Sequence, residues 1–119
     1  MQTLLIFLAR KPGMSREAFR DYYENRHIPL CAKYMQGLRL YRRRYIEGDD
    51  ELGFDVITEL GFDDAATRDF VLDSLARDAM PADVIADELN FIDRSRSRAV
   101  AVTQCETELS TAGAMTGAA

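Results

Sequence analysis

His27 is the only imidazole in the chain, and it closes a run of ring-bearing side chains. In the stretch RKPGMSREAFRDYYENRHIPL, residues 10–30, Phe19, Tyr22, Tyr23, Arg26, His27 and Leu30 recur at three- and four-residue spacings, which sets them along one helical face. An imidazole titrates near neutrality, so a histidine ending an aromatic stripe at a pocket edge can take up and return a proton. A plainer role fits the same position: a helix-terminal histidine that interacts with the dipole or a backbone carbonyl. Tyr23 stands one turn before His27, where its hydroxyl either orients the imidazole or a substrate oxygen, or reaches water. Tyr41 and Arg43 alternate onto one face of a predicted strand, and a phenol with a guanidinium can hold a carboxylate, phenolate or enolate. Arg43 can equally serve only as a cross-strand ion-pair partner. Cys31 follows His27 by four residues, the spacing of a thiol–imidazole pair on an unbroken helix. Pro29 lies between them, and a lone cysteine commonly acts as a small apolar residue.

The elements that must position these groups are punctuated clearly. Pro12-Gly13 marks a turn and Ser15 stands at the N-cap of a helix. Pro29 is expected to close or kink that helix just past His27, opening a second piece, LCAKYMQ, that stops at Gly37. Before the helix, QTLLIFLA reads as a strand buried on both faces. Leu38–Ile46 and Gly53–Leu60 both alternate, with the polar cluster EGDDE between them, so they form a hairpin. Opposite charges suggest a register that pairs Arg43 with Asp55 and Arg39 with Glu59. That register gathers Leu38, Leu40, Ile46, Phe54, Val56 and Leu60 on one face, interrupted by Arg42 and Arg44. Asp63 is expected to cap a second long helix with Ala66, Phe70, Leu75 and Ala79 near one stripe, until Pro81 interrupts it. PADVIADELNFID adds a short helix or turn, RSRSR a solvated strand edge, and AVAVTQ a last strand.

The order strand, helix, strand, strand, helix, strand is that of a split βαβ unit: an α+β, ferredoxin-like fold, βαββαβ, with both helices on one face of an antiparallel sheet. Residues 1–105 make one domain, and 106–119, poor in bulky apolar residues, form a flexible tail or an arm laid on a partner. The other sheet face then needs a cover, which a second copy would supply.

Composition narrows the partners. A chain of 119 residues with a net charge of −5 is one domain without the basic balance of a general nucleic-acid binder. Met1–Ala9 is too short and uncharged for a signal peptide or a membrane span, which implies a cytoplasmic protein without a membrane partner. Two cysteines and one histidine supply neither a disulfide framework nor a metal-ligand pattern. No P-loop, dinucleotide fingerprint, HExxH or CxxC occurs, so no cofactor is expected.

A first strand followed by K-P-G, F-x-x-Y-Y and H-x-P elements, as they stand in residues 11–29, resembles the EthD family of the dimeric α+β barrel group. The resemblance implies two sheets packed face to face in a homodimer, with a pocket between helices and sheet in each subunit. The family's functional histidine maps onto His27. On this basis the expected function is cofactor-independent proton transfer by His27 in a small phenolic, lactone or polyketide-like substrate, as isomerisation, dehydration or elimination. Tyr23, Tyr41 or Arg43 would hold the substrate oxygen. The alternatives are cofactor-independent oxygenation of an aromatic, suggested by barrel relatives, and a non-catalytic ligand-binding or accessory role. Haem-degrading members of the group would use His27 as an axial ligand, an analogy weakened by the absence of tryptophan.

Overall fold

The computed structural model describes residues 1–48 and 51–110. Strand β1 (Gln2–Leu8) leads into α1 (Arg16–Tyr22), a π-helical turn (Tyr23–His27), α2 (Ile28–Cys31) and a short three-ten turn (Ala32–Tyr34). The hairpin β2 (Leu38–Tyr45) and β3 (Val56–Phe62) follows, then α3 (Ala65–Ala76), α4 (Ala82–Glu88) and β4 (Arg98–Val102). The sheet order is β2-β3-β1-β4 with every neighbour antiparallel, the split βαβ arrangement of an α+β fold.

The hairpin register departs from the charge-based expectation. Arg42 stands opposite Glu59, Arg43 opposite Thr58 and Tyr45 opposite Val56, three positions away from the Arg43–Asp55 pairing. Burial decides the outcome: this register puts Val56, Thr58 and Leu60 on the same face as Tyr41, Arg43 and Tyr45, beneath the helices. Asp55 precedes β3 and is taken by Arg10, whose backbone amide and guanidinium both donate to it at 2.8 and 2.7 Å. Arg39 pairs instead with Asp63 at 3.0 Å. A register shift between Leu38 and Leu40 sets Leu38 opposite Phe62 on the helix side.

Two apolar clusters hold the helices to the sheet. Leu8, Phe19, Tyr23, Val56, Phe91 and Ile92 form one, and Leu4, Leu60 and Phe62 the other. The second helix differs from expectation in its start and its stripe. Asp64, not Asp63, is the N-cap, accepting from the Thr67 amide at 2.7 Å. Phe70 is 69% exposed, Ala79 lies past the helix, and Val71, Leu72 and Leu75 make the contact with the sheet. With Val71, Leu72 and Leu75 turned to the sheet, the helical period leaves Phe70 on the outer side.

The opposite face of the sheet carries Leu5 and Phe7 of β1, Ile57 of β3 and Val100 of β4, none of them fully buried. Glu59 lies on this face yet is 5% exposed, because Arg42 and Arg44 reach over it at 3.1 and 3.0 Å. Beyond β4, Thr103–Ser110 are exposed and carry no helix or strand, and the rest of the C-terminal segment lies outside the described residues. Among the described residues no helix is long and apolar enough to cross a membrane.

Candidate functional site

The helix bearing His27 starts where Ser15 accepts from the Ala18 amide at 3.1 Å. It does not end at Pro29. Proline has no amide to give to the carbonyl four residues back, and the helix widens by one residue just before it, the Ile28 N–H reaching the Tyr23 carbonyl. His27 is thus internal to a continuous helical run. The widened turn begins at Tyr23 and ends at His27, and both side chains point inward, 2% and 6% exposed.

The imidazole is held at both nitrogens. Nδ1 lies 2.8 Å from Asp87 Oδ2, on α4, and Nε2 lies 3.4 Å from Cys31 Sγ. The other Asp87 oxygen accepts from the Tyr22 hydroxyl at 2.6 Å, and Asn90 Nδ2 donates to that hydroxyl at 2.9 Å. Burial acts to raise the Asp87 carboxyl, but the hydrogen bonds from Tyr22 and His27 outweigh it and hold the group below its ordinary value. An ionised carboxylate can only accept, so in the neutral ring Nδ1 carries the hydrogen and Nε2 keeps its lone pair. Phe91 packs on the ring at a centroid distance of 4.8 Å and excludes water from that side.

Three hydroxyls form a second group. Tyr23 Oη is 2.8 Å from Tyr41 Oη and 2.7 Å from Thr58 Oγ1. Burial, stronger than the hydrogen bonds from Thr58 and Tyr41, pushes the Tyr23 phenol up to about 12. Burial likewise raises Tyr41 well above its usual value, with neighbouring Tyr23 adding to it. Both stay protonated. Three O–H groups sharing two contacts leave one hydrogen over for a further partner.

His27, Cys31, Tyr23 and Tyr41 line one cavity of about 200 Å³ between the helices and the sheet, of the order that admits a single ring. Leu38, Leu60, Phe62, Val71 and Met80 supply much of its apolar wall, and no lysine or arginine is among its lining residues. Arg43 lies outside it. Its guanidinium grips Glu24 of the π-turn at 2.9 and 2.6 Å, and Tyr45 donates to the same carboxylate at 2.6 Å. The structure therefore brings His27, Tyr23, Tyr41 and Cys31 together and engages Arg43 in a brace between helix and hairpin.

That brace has a pH signature. The Arg43 hydrogen bonds hold the Glu24 carboxyl below its usual 4.5, against opposing burial. A lowered carboxylate stabilises the fold above the unfolded value, and the contribution disappears as pH falls through the lower folded value. Urea-unfolding midpoints of wild type and Glu24→Gln should therefore differ at neutral pH and converge as the pH falls from 4.5 through the lower folded value. A gap that widens on acidification contradicts this assignment.

Cys31 and His27 are in contact despite the intervening proline, because the residues after the π-turn regain α-helical spacing. Burial, with Glu88, Asp87 and Asp83 nearby, pushes the Cys31 thiol up to about 11, which works against the thiolate that a nucleophile needs. Iodoacetamide at mildly alkaline pH should alkylate exposed Cys105 well before half-buried Cys31, as peptide mass spectrometry would show. Preferential labelling of Cys31 would mark it as an activated thiolate.

Asp87, Thr58 and Glu88 escaped the sequence reading. Asp87 is more than fifty residues from His27 and sits in a stretch rich in acids, and Thr58 has no partner to announce it until the strands pair. Only the short helical pattern of ADVIADE pointed to an element there. Among the described residues no three His, Cys, Asp or Glu side chains converge as metal ligands.

A split βαβ sheet covered on one face by helices, with an imidazole–carboxylate pair and two phenols at a cavity between them, defines an α+β domain of the ferredoxin-like kind. The chain belongs to the EthD family: the EthD domain matches residues 11–95. Among solved structures, an ethyl tert-butyl ether D (EthD) family protein from Bacillus halodurans is similar at 24% identity and a TM-score of 0.55, covering 88% of this chain and all of that one. A hypothetical Arabidopsis thaliana protein is similar in its solution structure at 14% identity and a TM-score of 0.58, with 91% of each chain covered. A crystal structure from the same plant matches at 11% identity and a TM-score of 0.55 over 92% of this chain. These likenesses concern the fold. No curated protein matches the chain.

Proposed function

We propose that this protein is a cofactor-independent enzyme in which His27 moves a proton in an uncharged carbonyl compound. One observation carries the reading: His27 lines the cavity with Nδ1 tied to Asp87 at 2.8 Å, while Nε2 lies on Cys31 of the same wall. A carboxylate on Nδ1 fixes the ring and stabilises the imidazolium, so Nε2 acts as the base. A carbon acid adjacent to a carbonyl loses its proton to Nε2, and charge develops on the carbonyl oxygen. The hydrogen left over in the Thr58–Tyr23–Tyr41 group is donated to that oxygen from Tyr41. Arg43 supports the wall from behind through Glu24. With no cation lining the cavity, the substrate portion bound there is a neutral phenolic, lactone or polyketide-like ring rather than a carboxylate or phosphate. The thiol of Cys31, 3.4 Å from Nε2, yields that nitrogen to substrate.

The test is exchange of the α-hydrogens of β-tetralone in deuterium oxide, followed by proton NMR. Wild type should accelerate the exchange and His27→Gln should not. Equal rates with the two proteins would overturn the reading. Oxygen consumption with an electron-rich phenol would favour oxygenation instead, and binding of such ligands without exchange would favour an accessory role.

The working form we propose is a homodimer, with the partly exposed apolar face of Leu5, Phe7, Ile57 and Val100 covered by a second copy. Light scattering should return twice the chain mass at micromolar concentration, and a monomer there contradicts it.

A further inference from the structure

Asp87 and Glu88 are adjacent at the end of α4, and they serve different faces of the site. Asp87 goes to His27, whereas Glu88 lines the cavity itself. Glu88 also lines a second, more polar cleft of about 360 Å³, bounded by Arg94, Ser97 and Arg98. The two spaces share Ile6, Leu8, Leu75, Glu88 and Ile92, so Glu88 stands in the wall between an apolar chamber and a cleft that also carries Arg94, Ser97 and Arg98. Its side chain is 18% exposed, and its charged contact is with Arg94 Nε at 3.4 Å, a guanidinium that also grips Asp78. Burial raises the Glu88 carboxyl above its usual value, Asp78 and Asp87 add to that, and Arg94 opposes it. A carboxylic acid in such a wall can give a proton to the chamber and regain one from the cleft.

We infer that Glu88 is a second proton-transfer residue of this site, and that the two groups together dehydrate β-hydroxy carbonyl compounds. The inference rests on the proposed role of His27. His27 Nε2 takes the hydrogen on the carbon next to the carbonyl, and the electrons of that bond form the carbon–carbon double bond. The β carbon–oxygen bond breaks, and the hydroxyl leaves as water with the proton of Glu88. The proton on His27 then returns to Glu88 through solvent, restoring both groups.

Leaving-group dependence separates the two residues. The probes are a β-hydroxy-β-phenyl ketone, whose hydroxyl needs a proton to depart, and its β-acetoxy ester, whose acetate does not; formation of the conjugated enone is followed by absorbance. Glu88→Gln, close in shape, should slow loss of water by roughly 10²-fold and leave loss of acetate nearly unchanged. His27→Gln should slow both. If Glu88→Gln does not fold, Glu88→Asp gives the same reading, with hydroxyl departure slowed and acetate departure spared. Slowing of both probes by the Glu88 variant, or of neither, overturns the role of Glu88 while leaving that of His27 standing. Unchanged rates in His27→Gln overturn the proposed function and this inference with it, whereas no turnover of either probe by a wild type that exchanges the α-hydrogens of β-tetralone overturns this inference alone.

Discussion

Replacing His27 by Gln is expected to lower proton-transfer turnover by roughly 10²–10⁴-fold, the contribution of a positioned acid–base group. Glutamine fills similar space and can still hydrogen-bond, but it takes no proton at any pH near neutrality. Asp87→Asn should fall in the same direction. The amide can donate as well as accept, so it admits the ring flip or tautomer that puts a hydrogen on Nε2. The imidazolium formed during turnover also loses its counter-charge. The two substitutions act through one unit, so the double variant should be little worse than His27→Gln alone. Additive losses would mean that Asp87 acts independently of the imidazole.

Phe91→Ala is expected to cost about 3–5 kcal/mol of stability, the range for truncating a fully buried phenylalanine. Phe91 is 0% exposed and touches four rings: Phe19 at 5.6 Å, Tyr22 at 5.0 Å, Tyr23 at 5.5 Å and His27 at 4.8 Å between centroids. Its backbone is engaged as well, since the Lys11 amide donates to the Phe91 carbonyl at 2.9 Å. Few side chains join so many elements: the π-turn helix, the segment after β1 and the segment after α4 meet on this ring. A urea midpoint lowered by that free energy divided by the slope, with the slope itself unchanged, is the expected result. A loss below about 1 kcal/mol would mean that the cluster collapses onto the gap instead of leaving a cavity.

The sequence made the helix of His27 legible because three signals agree there: a serine cap, an aromatic stripe and a proline. Tyr23 and His27 could be placed on one inward face from spacing alone. The path through Pro29 could not, because a π-turn keeps residues on the inner face where an ideal helix would carry them past it. The hairpin was equally plain, from two alternating segments around a polar cluster. Its register was not, because Arg39, Arg42, Arg43 and Arg44 offer several charge matches, and burial of Val56, Thr58 and Leu60 chooses among them. Arg43 looked like an anion holder for the same reason: Glu24, its partner, sits on a helix far away in sequence. Asp87 and Glu88 carry no local pattern at all. What marks them is the placement of α4 beside the π-turn, which is tertiary information.

The central claim is that Asp87 holds His27 with a hydrogen on Nδ1 and a free lone pair on Nε2. Long-range proton–nitrogen correlation spectra of the single imidazole, recorded with the ring neutral, test this directly. The spectrum should show a protonated Nδ1 and an unprotonated Nε2, and the Asp87→Asn variant should lose that fixed form. An imidazole carrying its hydrogen on Nε2, or exchanging freely between tautomers in the wild type, would contradict it.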